Sequence, residues 1–246
     1  MICGFMPVSL ADYPGLVAAT AFVYGCNFRC PYCHNSGILG AGVLSRKNPD
    51  FAEGPVRFYR NEEITGYLSS RKKLIDGLCI TGGEPTLWKG LKAFAADVKA
   101  LGLRVKLDTN GSRPDVLEEM IENRLVDYVA MDIKAPIPKY GQFIMDEGDI
   151  ENVKRSVKIL MDHSASGGNP DYEFRTTVHE RILGMDDIEL MGRWLSGAKR
   201  YVLQAYRYSP EVLDADFCGT KPCSPEFLEQ SKALVSRYVA EILIRS

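Results

Sequence analysis

Apolar residues fall into short runs separated by stretches of helical period, and the two patterns alternate along the chain. Leu16 to Tyr24 is a β-branched and aromatic run that ends at Gly25. Leu78 to Thr81, Arg104 to Leu107, Tyr128 to Met131, Tyr172 to Val178 and Tyr201 to Ala205 have the same character, and each reads as a strand. Between them lie helix signals. Asn61 stands as a cap before Glu62 and Glu63, which favour the positive end of a helix dipole, and Gly102 closes a helix running from about Leu91 to Leu101. Ser112 and Pro114 open another over Val116 to Asn123, and Ile150 to His163 and Asp186 to Leu195 follow. A last helix is expected from Ser224, with Pro225 in its first turn and Phe227, Leu234, Tyr238 and Ile242 near one face.

Helices alternating with short apolar strands predict a parallel sheet with right-handed crossovers. Six such units give an α/β fold of the open, partial (β/α)6 barrel type, because a closed eight-unit barrel needs about 250 residues. This chain has 246 residues and spends roughly 20 of them between Gly40 and Tyr59, where no period is evident. The expected organisation is one domain over 1–246, with a barrel core over about 16–207 and a helical tail over about 210–246. An open barrel leaves a lateral mouth through which a loop of a macromolecule, or a small molecule, could enter.

Composition narrows the function classes. The 46% hydrophobic and 25% charged content is ordinary for a globular protein, and a net charge of -2 argues against a broad basic surface for nucleic acid or anionic membrane. No stretch resembles a membrane-spanning helix. Met1 to Pro7 lacks a basic segment followed by an apolar core, so no secretory signal is expected and a cytoplasmic location is. Seven cysteines would leave one over in a disulfide set, whereas clustered thiols in a reducing compartment point to metal or catalysis.

Three of those cysteines, Cys26, Cys30 and Cys33, lie within eight residues. Thiolates hold iron–sulfur clusters, and three of them leave one iron of a four-iron cluster open to a further ligand. Cys30 and Cys33 alone could instead form a redox pair or part of a zinc site with His34, although adjacent residues rarely aim at one small ion. Cys79, inside an apolar run, reads as a buried small hydrophobe. Cys218 and Cys223 flank a Gly-Thr-Lys-Pro loop and are too few for a cluster of their own.

Parallel α/β barrels place their sites at the C-terminal ends of the strands, and the strand ends here are unusual. The second runs into Gly82-Gly83-Glu84-Pro85, the third into Asp108-Thr109-Asn110-Gly111 and the fourth into Asp132-Ile133-Lys134; the fifth carries Arg175 and the sixth Gln204. Two glycines after a strand permit positive φ and close approach of a ligand to the backbone, and Glu84 offers an acceptor for an ammonium group. Asp132 and Lys134, on one side of an extended chain, could be an ion pair or touch a ligand. Arg175 could hold a carboxylate or serve in a structural ion pair. His34 could tune a cluster or stabilise its own loop.

Together these residues resemble the radical S-adenosylmethionine superfamily. Its signature C-x-x-x-C-x-aromatic-C appears at Cys26 to Cys33 with Tyr32 as the aromatic residue, and its Gly-Gly-Glu-Pro motif is matched by Gly82 to Pro85. The resemblance implies a [4Fe–4S] cluster on Cys26, Cys30 and Cys33, with S-adenosyl-L-methionine chelating the fourth iron. It implies Tyr32 beside the adenine and Gly82, Gly83 and Glu84 at the methionine amino group. It further implies that Asp108, Thr109 and Asp132 organise the cofactor carboxylate, with a monovalent cation admitted among them, and that Lys134 completes that rim.

Gly25 to Asn35, Leu107 to Gly111 and Met131 to Lys134 are similar to the activating enzymes of glycyl-radical enzymes, and Gly4 to Gly15 is most similar to activators of the anaerobic ribonucleoside-triphosphate reductase. Pyruvate formate-lyase activators have Asp-Gly-Pro-Gly where this chain has Asp12-Tyr13-Pro14-Gly15. The implied partners are that reductase, or pyruvate formate-lyase or another glycyl-radical enzyme, and a one-electron donor such as flavodoxin or ferredoxin. The alternatives are a radical enzyme acting on a small molecule, of the 7-carboxy-7-deazaguanine synthase type, and a zinc-stabilised binding module.

Overall fold

Eight strands in the order of the chain make one sheet, with the second to the eighth parallel and the first antiparallel to the second. The computed structural model describes residues 1–40, 57–165, 167–208, 212–217 and 220–245; Cys218 and most of the Gly40 to Tyr59 stretch lie outside these. The strands are β1 (Ile2–Ser9), β2 (Ala18–Val23), β3 (Gly77–Gly82), β4 (Arg104–Thr109), β5 (Tyr128–Asp132), β6 (Asp171–Val178), β7 (Arg200–Ala205) and β8 (Glu241–Arg245). Helices α1 (Asn61–Arg71), α2 (Leu91–Ala100), α3 (Pro114–Glu122), α4 (Gly148–Ala165), α5 (Met185–Trp194) and α6 (Pro225–Val235) connect β2 through β8. Six strand–helix units therefore precede the last strand, in a curved sheet whose edges, β1 and β8, are not paired with each other. The open α/β barrel expected from the alternating pattern is the observed architecture.

Two elements differ from the sequence expectation. β1 pairs with β2 from Ile2 opposite Val23 to Ser9 opposite Ala18, with irregular register on either side of the Gly4–Met6 stretch. The final helix stops at Val235 instead of running through Ile242, and the chain returns to the sheet as β8. The helical spacing of Phe227, Leu234, Tyr238 and Ile242 is broken after Ser236, and the aliphatic run Ile242-Leu243-Ile244 then pairs with Tyr201, Val202 and Leu203 of β7. Three apolar residues in succession carry no period of their own, so a register on a neighbouring strand decides their state.

Helices and outward-facing strand residues form the apolar core, including Leu68, Phe94, Val98, Met120, Val157, Ile188 and Leu228. The inner face of the sheet is different, because it buries charge. Lys106 is 2% exposed and Glu173 is fully buried. Glu173 takes a two-pronged contact from Arg245 at 2.7 and 2.7 Å and accepts from the Tyr128 hydroxyl at 2.8 Å, so β8 supplies the cation that makes a buried carboxylate tolerable.

Candidate functional site

β2 ends at Val23 and the chain turns at Gly25, whose φ is +95°. The loop that follows carries the three cysteines and is tied at both ends: Gly25 N–H donates to Ile38 at 2.8 Å, and Arg29 N–H donates to Phe143 at 2.7 Å. Phe28 is buried beneath it as an apolar anchor, and its N–H points at Cys26 Sγ at 3.4 Å. The Arg29 guanidinium closes the turn from inside, donating to the carbonyls of Cys26 and Phe28 at 2.7 Å each. Burial pushes the Cys26 thiol up to about 12 and those of Cys30 and Cys33 up to about 11, so a metal bound here must displace their protons. Among the described residues no three His, Cys, Asp or Glu side chains converge on a single ion. Zinc demands such convergence at about 2.0–2.3 Å, whereas each iron of a cluster takes its own thiolate.

The Gly82-Gly83 turn owes its glycines to this loop. A Cβ on Gly82, at φ +121°, would lie 2.3 Å from Val23 N, and one on Gly83 would lie 2.0 Å from Gly25 O. The backbones are instead hydrogen-bonded across that gap, Gly83 N–H to Val23 at 2.8 Å and Glu84 N–H to Gly25 at 2.7 Å. Asn35 Nδ2 adds a bond to the Gly82 carbonyl at 2.9 Å. The glycines thus admit the start of the cysteine loop as well as any ligand. Gly83→Ala forces backbone apart, and its expected cost is about 3 kcal/mol, the upper end for overpacking. Thermal unfolding checks this, with Tm falling by about 6–12 °C for a chain of this size.

Glu84, expected with Gly82 and Gly83 at the methionine amino group, is engaged by the protein's own donors. Its carboxylate is fully buried and does not line the cavity. One oxygen accepts from Thr86 N–H at 3.0 Å, from the Thr86 hydroxyl and from the Thr109 hydroxyl at 2.8 Å, and the other accepts from Asn110 N–H at 2.6 Å. Its hydrogen bonds go to the protein's own groups, and the buried carboxylate does not reach the cavity in which an ammonium group would sit. Burial raises its proton affinity, and the donors from Asn110, Thr86 and Thr109 offset part of that rise. Its role in the geometry is to bolt the β4 turn to the β3 turn. Asn110 continues the link, donating to Asn27 Oδ1 at 3.0 Å and standing 3.9 Å from Cys26 Sγ.

The remaining predicted residues meet as a line of alternating charge. Lys106 pairs with Asp108; Arg175 bridges Asp108 at 3.1 Å and Asp132 at 2.9 Å; Lys134 pairs with Asp132 at 2.9 Å. Asp132 sits directly opposite Arg175 in the β5–β6 register, and Lys106 and Asp108 share one face of β4. Burial acts to raise both aspartates, yet Arg175 with Lys134 or Lys106 outweighs it and holds both below the usual carboxylate range. The ion-pair reading of Asp132, Lys134 and Arg175 is therefore the observed one. It is compatible with a ligand above, since all three also line the cavity.

That cavity, of about 460 Å³, opens at the C-terminal ends of the strands. Cys26, Cys30, Cys33, Tyr32, Gly82, Gly83, Asp108, Thr109, Asp132, Lys134 and Arg175 all line it, with His34 and Gln204. Asp12, Asn35, Asn110, Thr177 and Arg207 line it as well, and of these Arg207 was not singled out from sequence. Thr177 follows Arg175 by two, the strand period, and so reaches the same face. His34 Nε2 lies 3.0 Å from the Arg207 carbonyl, a contact that fixes the loop. A larger cavity of about 670 Å³ at the opposite end of the barrel is lined by the ion pairs of Asp171 with Arg200 and of Glu173 with Arg245.

Two features test whether a cluster and an adenosyl cofactor suit this cavity. The donor set is three thiols on one short loop, the number that leaves one iron of four open. Tyr32, on the cavity wall, has a buried hydroxyl without a hydrogen-bond partner among the described residues, a group that a bound polar ligand would satisfy. The volume falls within the roughly 300–1,000 Å³ of small-ligand sites. The residues fit.

Comparison with known proteins agrees. Residues 20–172 match the Radical SAM superfamily, and the chain belongs to that superfamily. Its members work with a [4Fe–4S] cluster and S-adenosylmethionine. Along its whole length the chain is similar to MJ1227 of Methanocaldococcus jannaschii, provisionally described as a glycyl-radical enzyme activating enzyme, at 31% identity over 100% of this chain and 96% of that protein. It is also similar to the 7-carboxy-7-deazaguanine synthase of Geobacter sulfurreducens, at 29% identity over 89% of this chain and 83% of that enzyme. Among solved structures, Streptococcus suis SuiB bound to S-adenosylmethionine superposes with a TM-score of 0.60 over 90% of this chain at 12% identity, a likeness of fold; the chain spans 48% of SuiB. No helix among the described residues is long and apolar enough to cross a membrane.

Proposed function

We propose that this protein is an activating enzyme that installs a radical on a backbone glycine of a partner, the anaerobic ribonucleoside-triphosphate reductase. The observation that carries the reading is the similarity to MJ1227 over the full length of both chains. Held on Cys26, Cys30 and Cys33, the cluster and S-adenosylmethionine supply reductive sulfonium cleavage to methionine and a carbon radical that takes hydrogen from glycine, with the electron delivered by a donor such as flavodoxin or ferredoxin. In this reading Tyr32 lies by the adenine and the backbone of Gly82 and Gly83 receives the methionine amino group. Glu84 keeps that turn in place, and the rim of Asp108, Thr109, Asp132, Lys134 and Arg175 faces the cofactor carboxylate. The unpaired barrel edges β1 and β8 leave a lateral opening, which suits entry of a polypeptide loop.

Anaerobic mixing of reduced, cluster-loaded protein with S-adenosylmethionine and the reductase is expected to give a glycyl doublet in electron paramagnetic resonance. Cofactor cleavage with no glycyl signal from the reductase or from pyruvate formate-lyase would overturn the activator reading. The similarity to 7-carboxy-7-deazaguanine synthase over most of the chain supports a second reading, a small-molecule radical enzyme. Turnover of a small substrate without any partner protein would favour it.

A further inference from the structure

A monovalent cation at the rim would have to be coordinated by Asp108, Thr109 and Asp132, and the structure leaves none of them free to do so. Both Asp108 oxygens are taken, one by Lys106 and the other by Arg175 at 3.1 Å. Both Asp132 oxygens are taken, one by Lys134 and the other by Arg175, at 2.9 Å each. The Thr109 hydroxyl donates to Glu84 at 2.8 Å and accepts from Gly111 N–H at 3.1 Å. Asp12, the one other carboxylate among the described residues lining the cavity, accepts from the Thr20 hydroxyl. The three cations of the line, Lys106, Arg175 and Lys134, answer both Asp108 and Asp132, so neither aspartate has charge left to attract a further cation.

We propose that this protein needs no monovalent cation, and that the Arg175 guanidinium, bridging Asp108 and Asp132, stands where such an ion would stand and presents positive charge to the cofactor carboxylate. A planar, permanently charged fork suits the place, because it meets two aspartates and still offers N–H groups on a further side. The inference rests on the cavity being the S-adenosylmethionine site, and the test separates the two.

Equilibrium dialysis measures S-adenosylmethionine affinity of the cluster-loaded protein in potassium chloride and in choline chloride at equal ionic strength. The wild-type affinity is expected to agree between the salts within about twofold, while Arg175→Ala, having lost a charge-assisted contact, is expected to bind about tenfold more weakly in choline. Potassium should restore much of that loss in the variant by filling the vacated position. Thermal melting of the metal-free wild-type protein in the two salts is a second readout, and its Tm should not change. A saturable rise in wild-type affinity or Tm with potassium would overturn the proposal, and so would a folded Arg175→Ala protein that potassium does not rescue. The wild-type measurements decide the matter even if the variant fails to fold. No binding in either salt would remove the site reading itself, and the inference with it.

Discussion

Cys30→Ala, reconstituted anaerobically with iron and sulfide, is expected to fold and yet to hold no stable four-iron cluster. Cys30 is 8% exposed, and losing its sulfur costs packing of only about 1 kcal/mol, the order of one buried methylene. Two thiolates then remain for four irons, while the loop keeps its Arg29 clamp and the Asn27 and Asn35 side-chain bonds that hold it in place. The loss of S-adenosylmethionine cleavage should exceed the roughly 10–100-fold that removing an outer partner of a metal ligand costs. Iron and acid-labile sulfide analysis, with quantification of 5′-deoxyadenosine, checks both statements. Cys26→Ala and Cys33→Ala should behave alike, whereas Cys79→Ala, at a fully buried position on β3, should keep the cluster.

Glu84→Ala is the second large effect, and it is one of stability. The substitution leaves four buried donors unanswered: the N–H and hydroxyl of Thr86, the Thr109 hydroxyl and the Asn110 N–H. Unsatisfied groups cost about 1–3 kcal/mol each, and dismantling a buried charged network typically costs about 3–5 kcal/mol in total. At about 2–4 °C per kcal/mol for a chain of this size, Tm should fall by roughly 10 °C in the metal-free protein. Glu84→Gln should fall between wild type and alanine, because it keeps one oxygen but sets an N–H₂ group against Asn110 N–H. Had Glu84 been a ligand of the methionine amino group alone, either change would weaken cofactor binding and leave Tm of the metal-free protein unmoved.

Much of the barrel was legible because its central strands are buried on both faces, which makes β2 to β7 read as apolar runs between helix signals. The edges obey different rules. β1 carries Gly4 and Pro7 and exposes Met6 at 42% and Val8 at 52%, so neither alternation nor a clean apolar run marks it. β8 sits beside a helix of similar composition, and only its pairing with β7 distinguishes it. The site followed the same division. Cys26, Cys30 and Cys33 are local in sequence, and the strand-end residues reach one rim because parallel strands share a direction. What Glu84 and Arg175 do depends on residues far along the chain. Thr109 and Asn110 reach Glu84 from another strand end, and Asp108 and Asp132 reach Arg175 from β4 and β5. Sequence left ion pair and ligand contact open for Arg175 and assigned Glu84 to the ligand; tertiary register gives both to the protein's own groups.

The central claim is that three cysteines hold a cluster whose open iron receives S-adenosylmethionine in the cavity lined by Tyr32 and Arg175. Electron paramagnetic resonance of the reduced, cluster-loaded protein before and after adding S-adenosylmethionine tests it most directly. A reduced four-iron signal that changes its g values on addition is the predicted result. A protein that purifies with zinc and without sulfide, or a cluster signal indifferent to the cofactor, would contradict the account.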